Sequence, residues 1–274
     1  MRITVLVENS VGRTLPIGGE HGLSLWVEYN GRKLLFDTGQ RGAVVPNAAL
    51  LGIDLREAEA IILSHGHSDH TGGLRDALEH IGRRVPVYAH PDVFSAHRVS
   101  SPSDRYIGIP YVKEALETAG ADFILTAEPL ELFPGLWLSG EVLRESCLDA
   151  ADTRMYVYRG DERVPDPLAD DLSIYAVTSV GLVVLLGCAH AGVINIIEHA
   201  RAVTGVDKVA AVVGGTHLGP AENVQLEATV SFLKELDLSV LAANHCTGLP
   251  VAARLAAVFG ERFVFAASGE TLEF

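Results

Sequence analysis

The stretch ILSHGHSDHTGGL, residues 62–74, constrains the fold of this 274-residue chain more than any other feature. It sets His65, His67, Asp69 and His70 within six positions, directly after an apolar run. If Ile61 to Ser64 form a buried strand, the chain leaves a sheet at His65. Alternation in an extended segment then sends His65 and His67 to the same side, where two imidazoles converge on one cation. Asp69 and His70 fall at the start of a helix predicted over about 70–81, whose turn aims them at a second position a few ångströms away. Imidazole nitrogen with carboxylate oxygen suits Zn²⁺, and also Fe²⁺ or Mn²⁺. Gly66, Gly72 and Gly73 let the backbone pass close to the ions. A merely solvated, histidine-rich helix start would not need a buried strand in front of it.

Around this cluster the chain reads as strands first: RITVLVEN, LSLWVEY and KLLFDTG, the last two joined across Asn30-Gly31, a hairpin signal. Strands and helices then alternate. EAIILSH and VPVYAH come early; LVVLLGC precedes GVINIIEHARAV, KVAAVVGG precedes ENVQLEATVSFLKEL, and SVLAANHC precedes LPVAARLAAVF. Such alternation predicts mixed sheets with helices packed outside. Residues 98 to about 170 are less regular, rich in Pro, Ser, Gly and charge, and are expected to elaborate one edge of a single domain spanning 1–274.

A net charge of −14 argues against a nucleic-acid partner, whose phosphates call for a basic surface. It leaves room for an anionic small molecule, because a bound metal supplies local positive charge. No apolar stretch is long enough to span a membrane, and the N-terminus lacks the apolar segment of a secretory signal. Cys147, Cys188 and Cys246 are odd in number and far apart, which suits reduced thiols, so the expected setting is cytoplasmic.

H-x-H-x-D-H after a strand, followed by T-G-G-L, resembles the metallo-β-lactamase superfamily. LLFDTG, ending in Asp37-Thr38-Gly39, is similar to that family's upstream motif, in which the aspartate supports the metal loop by hydrogen bonding. The resemblance implies a four-layer αββα sandwich of α+β type: two mixed β-sheets face to face, helices on both outer faces, and two divalent metal ions, Zn²⁺ foremost, at one edge. The remaining ligands are expected where later strands end, at His190 in LLGCAHAG and His245 in AANHCTG. Many relatives carry a bridging aspartate where this chain has GCAH. Cys188 is therefore either a thiolate ligand or a small buried hydrophobe. The family's H-T-P-G-H segment is missing, and PLADDLSIYAV in its place offers Asp170 or Asp171 as an acidic substitute.

EHGLSLWVE, DDLSIYAV, GCAHAGVIN, GGTHL and HCTG further resemble, over nearly the whole chain, a subgroup named after 7,8-dihydropterin-6-methyl-4-(β-D-ribofuranosyl)aminobenzene-5'-phosphate synthase. The function this implies is an enzyme that turns metal-activated water on a small anionic metabolite, phosphorylated or ester-containing, with Asp69 orienting the water. One alternative is a transferase of the synthase type that displaces diphosphate; another is a metal-binding sensor without turnover. His217, after two glycines at a strand end, is placed to donate a hydrogen bond to a substrate oxygen, and His21 after Glu20 reaches the same cleft. Arg144 either meets a phosphate or lies on the surface. His80, His90, His97 and His199 read as structural or exposed, and Trp26 and Trp137 as core. A small-molecule substrate is the expected partner, and a homo-oligomer is compatible with this reading.

Overall fold

The computed structural model describes residues 1–12, 14–145 and 152–274; Cys147 lies outside the described residues. Strand β1 (Arg2–Val7) is followed by the hairpin β2 (Ser24–Tyr29) and β3 (Arg32–Phe36). Its turn holds Asn30 at φ 50° and Gly31 at φ 80°, the two left-handed positions that make Asn-Gly the favoured pair here. Helix α1 (Val44–Leu50), strand β4 (Ala60–Ile62), helices α2 (Ser68–Thr71) and α3 (Leu74–Ile81) and strand β5 (Val85–Ala89) come next.

The expected helix over 70–81 is thus two helices, broken at Gly72-Gly73. A Cβ at either glycine would overlap a backbone carbonyl, that of Gln40 or of Thr38, so the break is where the chain after β3 passes closest.

Short strands β6 (Arg98–Val99) and β7 (Arg105–Tyr106), helix α4 (Lys113–Thr118), and strands β8 (Ala121–Leu125), β9 (Leu130–Phe133), β10 (Leu136–Leu138), β11 (Met155–Arg159) and β12 (Glu162–Pro165) follow. The last part comprises β13 (Ser173–Thr178), β14 (Gly181–Leu186), α5 (Val193–Thr204), β15 (Val209–Gly215), α6 (Asn223–Glu235), β16 (Val240–Asn244), α7 (Leu249–Phe259) and β17 (Thr271–Glu273).

These strands form a seven-stranded sheet, β17-β1-β2-β3-β4-β5-β8, a six-stranded sheet, β16-β15-β14-β13-β10-β9, and a small sheet, β12-β11-β6-β7. The two large sheets are mixed, with parallel pairs from β3 to β8 in one and from β14 to β16 in the other. Strand alternation divides the core into layers. Ile3, Val5, Leu34 and Ile62 meet Ile174, Val183, Leu185 and Val213 between the sheets. Leu6, Trp26 and Ile61 face the other way, against α1 and α3, as Val184 and Val212 face α5, α6 and α7. The result is the αββα sandwich.

The segment read as an edge elaboration also supplies β8 to one large sheet and β9 and β10 to the other. Strands β8 and β9 are mostly exposed or half-buried edges, so they lack the apolar run by which inner strands announce themselves. The small sheet stands beside the cleft described next.

Candidate metal centre

Parallel strands bring their carboxyl ends to one side, and there the sequence places its polar residues. Asp37 follows β3 and His65 follows β4; Cys188 and His190 follow β14, His217 follows β15, and His245 and Cys246 follow β16. Asp37, Ala189, His217 and His245 take left-handed backbone conformations, with φ of 58°, 56°, 51° and 51°. Each costs on the order of 1 kcal/mol for a non-glycine residue, a strain that persists where the surroundings dictate the turn. Four such residues around one cleft mark it as the functional edge.

The side chains converge. His65 Nε2 lies 3.0 Å from His67 Nδ1, while His70 Nε2 lies 3.1 Å from His245 Nε2 and 3.2 Å from Cys188 Sγ. Donor atoms of His65, His67 and His190 all fall within 4.8 Å of one another, as do those of His65, His70 and Cys188, and those of His21, Asp69 and His245. Asp69 Oδ2 sits 3.2 Å from His21 Nε2 and 3.4 Å from His245 Nε2. His65 and His70 are fully buried and His67, His190 and His245 nearly so. Among the described residues, the buried His67 Nε2 and His190 Nε2 have no hydrogen-bond partner.

A buried polar atom without a partner is expensive. Nitrogens coordinated at about 2.0–2.1 Å around one tetrahedral cation stand roughly 3.3 Å apart, close to the spacings seen. The donor set therefore fits divalent cations, one among His65, His67 and His190 and a second among Asp69, His70 and His245.

Burial pushes His65 and His190 well below the ordinary imidazole range and His67 to about 4. All three are neutral at pH 7 and keep a lone pair for a metal. Burial works against the charge of Asp69, but hydrogen bonds from His21 and His245 and the charge of His70 hold it well below the usual carboxylate range. Burial likewise opposes protonation of His70, and Asp37 beside it lifts the imidazole to about 9. That proton must leave when His70 binds a cation.

Carboxylates brace the loops that carry these groups. Asp37 is fully buried; Ser64 N and Ser64 Oγ donate to it at 2.7 Å each and His70 Nδ1 at 2.6 Å, as its motif implies. Asp170 accepts from Gly66 N at 2.7 Å, between His65 and His67, and Asp171 accepts from Ala191 N at 2.8 Å, next to His190. The two residues considered as acidic substitutes thus grip the backbone of the histidine loops, and burial raises Asp171 to about 7. Arg144 donates to the His190 carbonyl at 2.9 and 3.1 Å. It holds the same loop.

His97, read from sequence as structural or exposed, is buried behind His67, with ring centroids 5.2 Å apart. Its Nδ1 donates to Asp166 at 2.6 Å and its Nε2 lies 3.3 Å from Asp170. Burial opposes its charge, but the two aspartates outweigh that and raise it to about 10. A group whose folded pKa is raised gives its full stabilisation below the unfolded value, about 6.5, and loses it as pH climbs through the folded one. Urea midpoints should therefore fall between pH 7 and 10 in the wild type. His97→Gln should be less stable at pH 7 and show a shallower slope, the remainder coming from His70 and His217, which are also raised, to about 9; an identical slope would contradict the assignment.

Sequence reasoning passed over Asn9, Glu8 and Cys246. Asn9 Oδ1 lies 3.1 Å from His245 Nδ1, and Glu8 Oε1 accepts from His245 N at 2.9 Å. Both follow β1, and a polar pair directly after a buried strand is the same signal that picked out His65. A cleft of about 520 Å³ opens over the centre. Its walls include His21, Asp69, His190, His217 and Cys246, with Val99, Arg105 and Met155 from the small sheet. His21 is mostly exposed, and the His217 ring lies 4.3 Å from that of His190.

Comparison with known proteins agrees with this geometry. Residues 17–201 match the family described as the Metallo-beta-lactamase superfamily. The 7,8-dihydropterin-6-methyl-4-(beta-D-ribofuranosyl)-aminobenzene-5'-phosphate synthase of Methanocaldococcus jannaschii is 31% identical over 284 aligned positions, covering 100% of this chain and 97% of that protein. The crystal structure of Tm1679, a metal-dependent hydrolase of the beta-lactamase superfamily, superposes with a TM-score of 0.82 at 28% identity, covering 100% of this chain and 99% of the other. Zn²⁺-bound PqqB from Methylobacterium extorquens shares the fold at a TM-score of 0.57 and 15% identity, with both chains fully covered.

Proposed function

The chain belongs to the metallo-beta-lactamase superfamily, and on that premise we propose that it is a binuclear-metal hydrolase of small anionic metabolites, splitting an ester, thioester, lactone or phosphoester. The observation that carries this reading is the meeting of three neutral buried histidines, a charged Asp69 and an open cleft of about 520 Å³ at one sheet edge. A cleft of that size suits a metabolite.

Bound divalent cations supply Lewis acidity there, polarising a carbonyl or phosphoryl oxygen and lowering the pKa of water. His65, His67 and His190 would hold one, and Asp69, His70 and His245 the other. The protein's own groups complete the chemistry. Asp69 stays ionised, and its Oδ2 between His21 and His245 would accept a hydrogen bond from an attacking water and fix its direction. Burial resists the charge of His217, but Asp152 and Cys246 raise it to about 9. It therefore enters the cleft as a cationic donor to a substrate oxygen. His21 keeps Asp69 in place from the solvent side.

A second reading, a transferase that displaces diphosphate, is favoured by the full-length identity of 31% to the pterin synthase. In that case the same cationic edge steadies the leaving diphosphate. Purified protein should carry close to two divalent ions per chain by elemental analysis, and chelation should abolish turnover until Zn²⁺ is restored. A metal-free wild type would end both readings. Turnover of phosphodiester, thioester or lactone panels assigns a hydrolase. Turnover only of a pterin diphosphate with an aminobenzene ribofuranosyl phosphate assigns the transferase.

A further inference from the structure

The small sheet turns one face toward the cleft. In its register Arg105 of β7 pairs with Val99 of β6, and Val99 in turn with Met155 of β11. Cross-strand partners share a face, and all three side chains line the cleft together with His67, Asp69 and His190. Val99 and Met155 are buried, which leaves Arg105 as the exposed charge of this row.

The acids nearby in sequence are engaged elsewhere. Asp104, the chain neighbour of Arg105, accepts from Arg98 Nη2 at 2.9 Å and from Tyr156 Oη at 2.5 Å, two residues that alternate with Val99 and Met155 and so belong to the other face. Arg154, the other arginine of the cleft, donates through Nε to Asp152 at 2.8 Å, and Asp152 also stands 3.9 Å from His217. Among the described residues Arg105 has neither an ion pair nor a side-chain hydrogen bond. In a chain of net charge −14, an arginine kept free of carboxylates on a cleft wall is a local attraction for an anion.

A guanidinium grips oxyanions through paired N–H donors. The cleft of about 520 Å³ holds far more than one phosphoryl or carboxyl group, so a ligand that reaches the histidines and Asp69 has length left to reach the small sheet. We propose that Arg105 is a specificity-determining residue, which binds a second oxyanion, a carboxylate or a phosphate, at the non-reacting end of the substrate. The metabolite then carries that group in addition to the ester or phosphoester at the metal positions, and molecules that lack it are poor ligands. The inference rests on the binuclear reading of the site.

The test is calorimetric titration of the full chain, stripped with chelator and reloaded with Zn²⁺, using probes that do not turn over. Alkylphosphonates carry one anionic end; ω-phosphonoalkanoates and α,ω-bisphosphonates of graded chain length carry two, the second a carboxylate or a phosphonate. At the best length the second charge should tighten binding at least about tenfold, and the advantage should shrink to within about twofold in Arg105→Gln. Arg105→Lys should keep part of it, because a point charge replaces the fork. Arg159→Gln, which removes the same charge from outside the cleft, should leave the advantage whole. The favoured series tells a carboxylate from a phosphate. A second charge that gains nothing at any length, while alkylphosphonates still need Zn²⁺ to bind, overturns the arginine subsite and leaves the metal reading standing; so does an advantage undiminished in Arg105→Gln. Alkylphosphonate binding equal in stripped and reloaded protein overturns the metal reading instead, and no binding by any probe overturns both.

A second measurement needs no variant. Phenylglyoxal labelling of Arg105, read by peptide mass, should slow at least about tenfold when the best two-ended probe saturates the Zn²⁺-loaded wild type, because the bound oxyanion covers the guanidinium. The alkylphosphonate of matching length should leave the rate unchanged. Equal labelling in the presence of either probe overturns the proposal.

Discussion

His70→Ala should lower kcat/KM by about 10³-fold or more, the largest loss expected of any single substitution. His70 Nε2 meets both His245 and Cys188, while Nδ1 is tied to Asp37, so this one ring joins the halves of the centre. On the proposed reading its removal deletes a ligand, and it leaves Asp37 buried without its imidazole partner. A factor of 10³ is about 4 kcal/mol of barrier, modest against the acidification of water that a metal position supplies. Elemental analysis should find close to one ion per chain in place of two. Retention of both ions with wild-type turnover would remove His70 from the centre.

Asp37→Ala should weaken metal binding by about 10- to 100-fold, the range for losing a carboxylate that orients a metal-binding histidine. It should also destabilise the fold by roughly 2–4 kcal/mol. Asp37 accepts from Ser64 N, Ser64 Oγ and His70 Nδ1, and the substitution strands buried donors at the root of the histidine loop. Competition with a metallochromic chelator reads the first effect and urea denaturation of the stripped protein the second. Asp37→Asn isolates them: it keeps the volume and one acceptor, so it should recover most of the stability and little of the affinity. Equal recovery of both would argue that Asp37 only packs.

The convergence of the side chains after β4 was legible because potential ligands adjacent in sequence advertise themselves. So was the sandwich, because inner strands such as Leu182–Leu186 and Val209–Gly215 are apolar throughout and alternate with helices. The split between α2 and α3 was not, since it depends on the carbonyls of Gln40 and Thr38, more than thirty residues upstream. Nor were the edge strands β8 and β9, whose half-buried residues carry little periodic signal.

Within the site, His190, His217 and His245 could be picked out because each follows an apolar run. The roles of Asp170, Asp171 and His97 could not. Carboxylates that hold backbone look in sequence like carboxylates that hold metal, and His97 gains its partners only when β6 and the residues after β12 come together. Cys246 was hidden for another reason. Its closeness to Cys188 follows from the lack of a side chain at a third position, Gly215.

The contact between His70 and His245 spans 175 positions of the chain. A cation held there is a cross-link between two sheets that nothing local in the sequence brings together. These two donor atoms share a locus only while the interior between the sheets is docked, so a cation bound there would favour the folded chain. The ion then acts as a clasp, adding stability in proportion to the logarithm of its free concentration. Starvation for metal would leave an intact but more easily opened protein, and the strained turns at Asp37, His217 and His245 would be held by packing and by the hydrogen bonds of Ser64, Cys246 and Glu8.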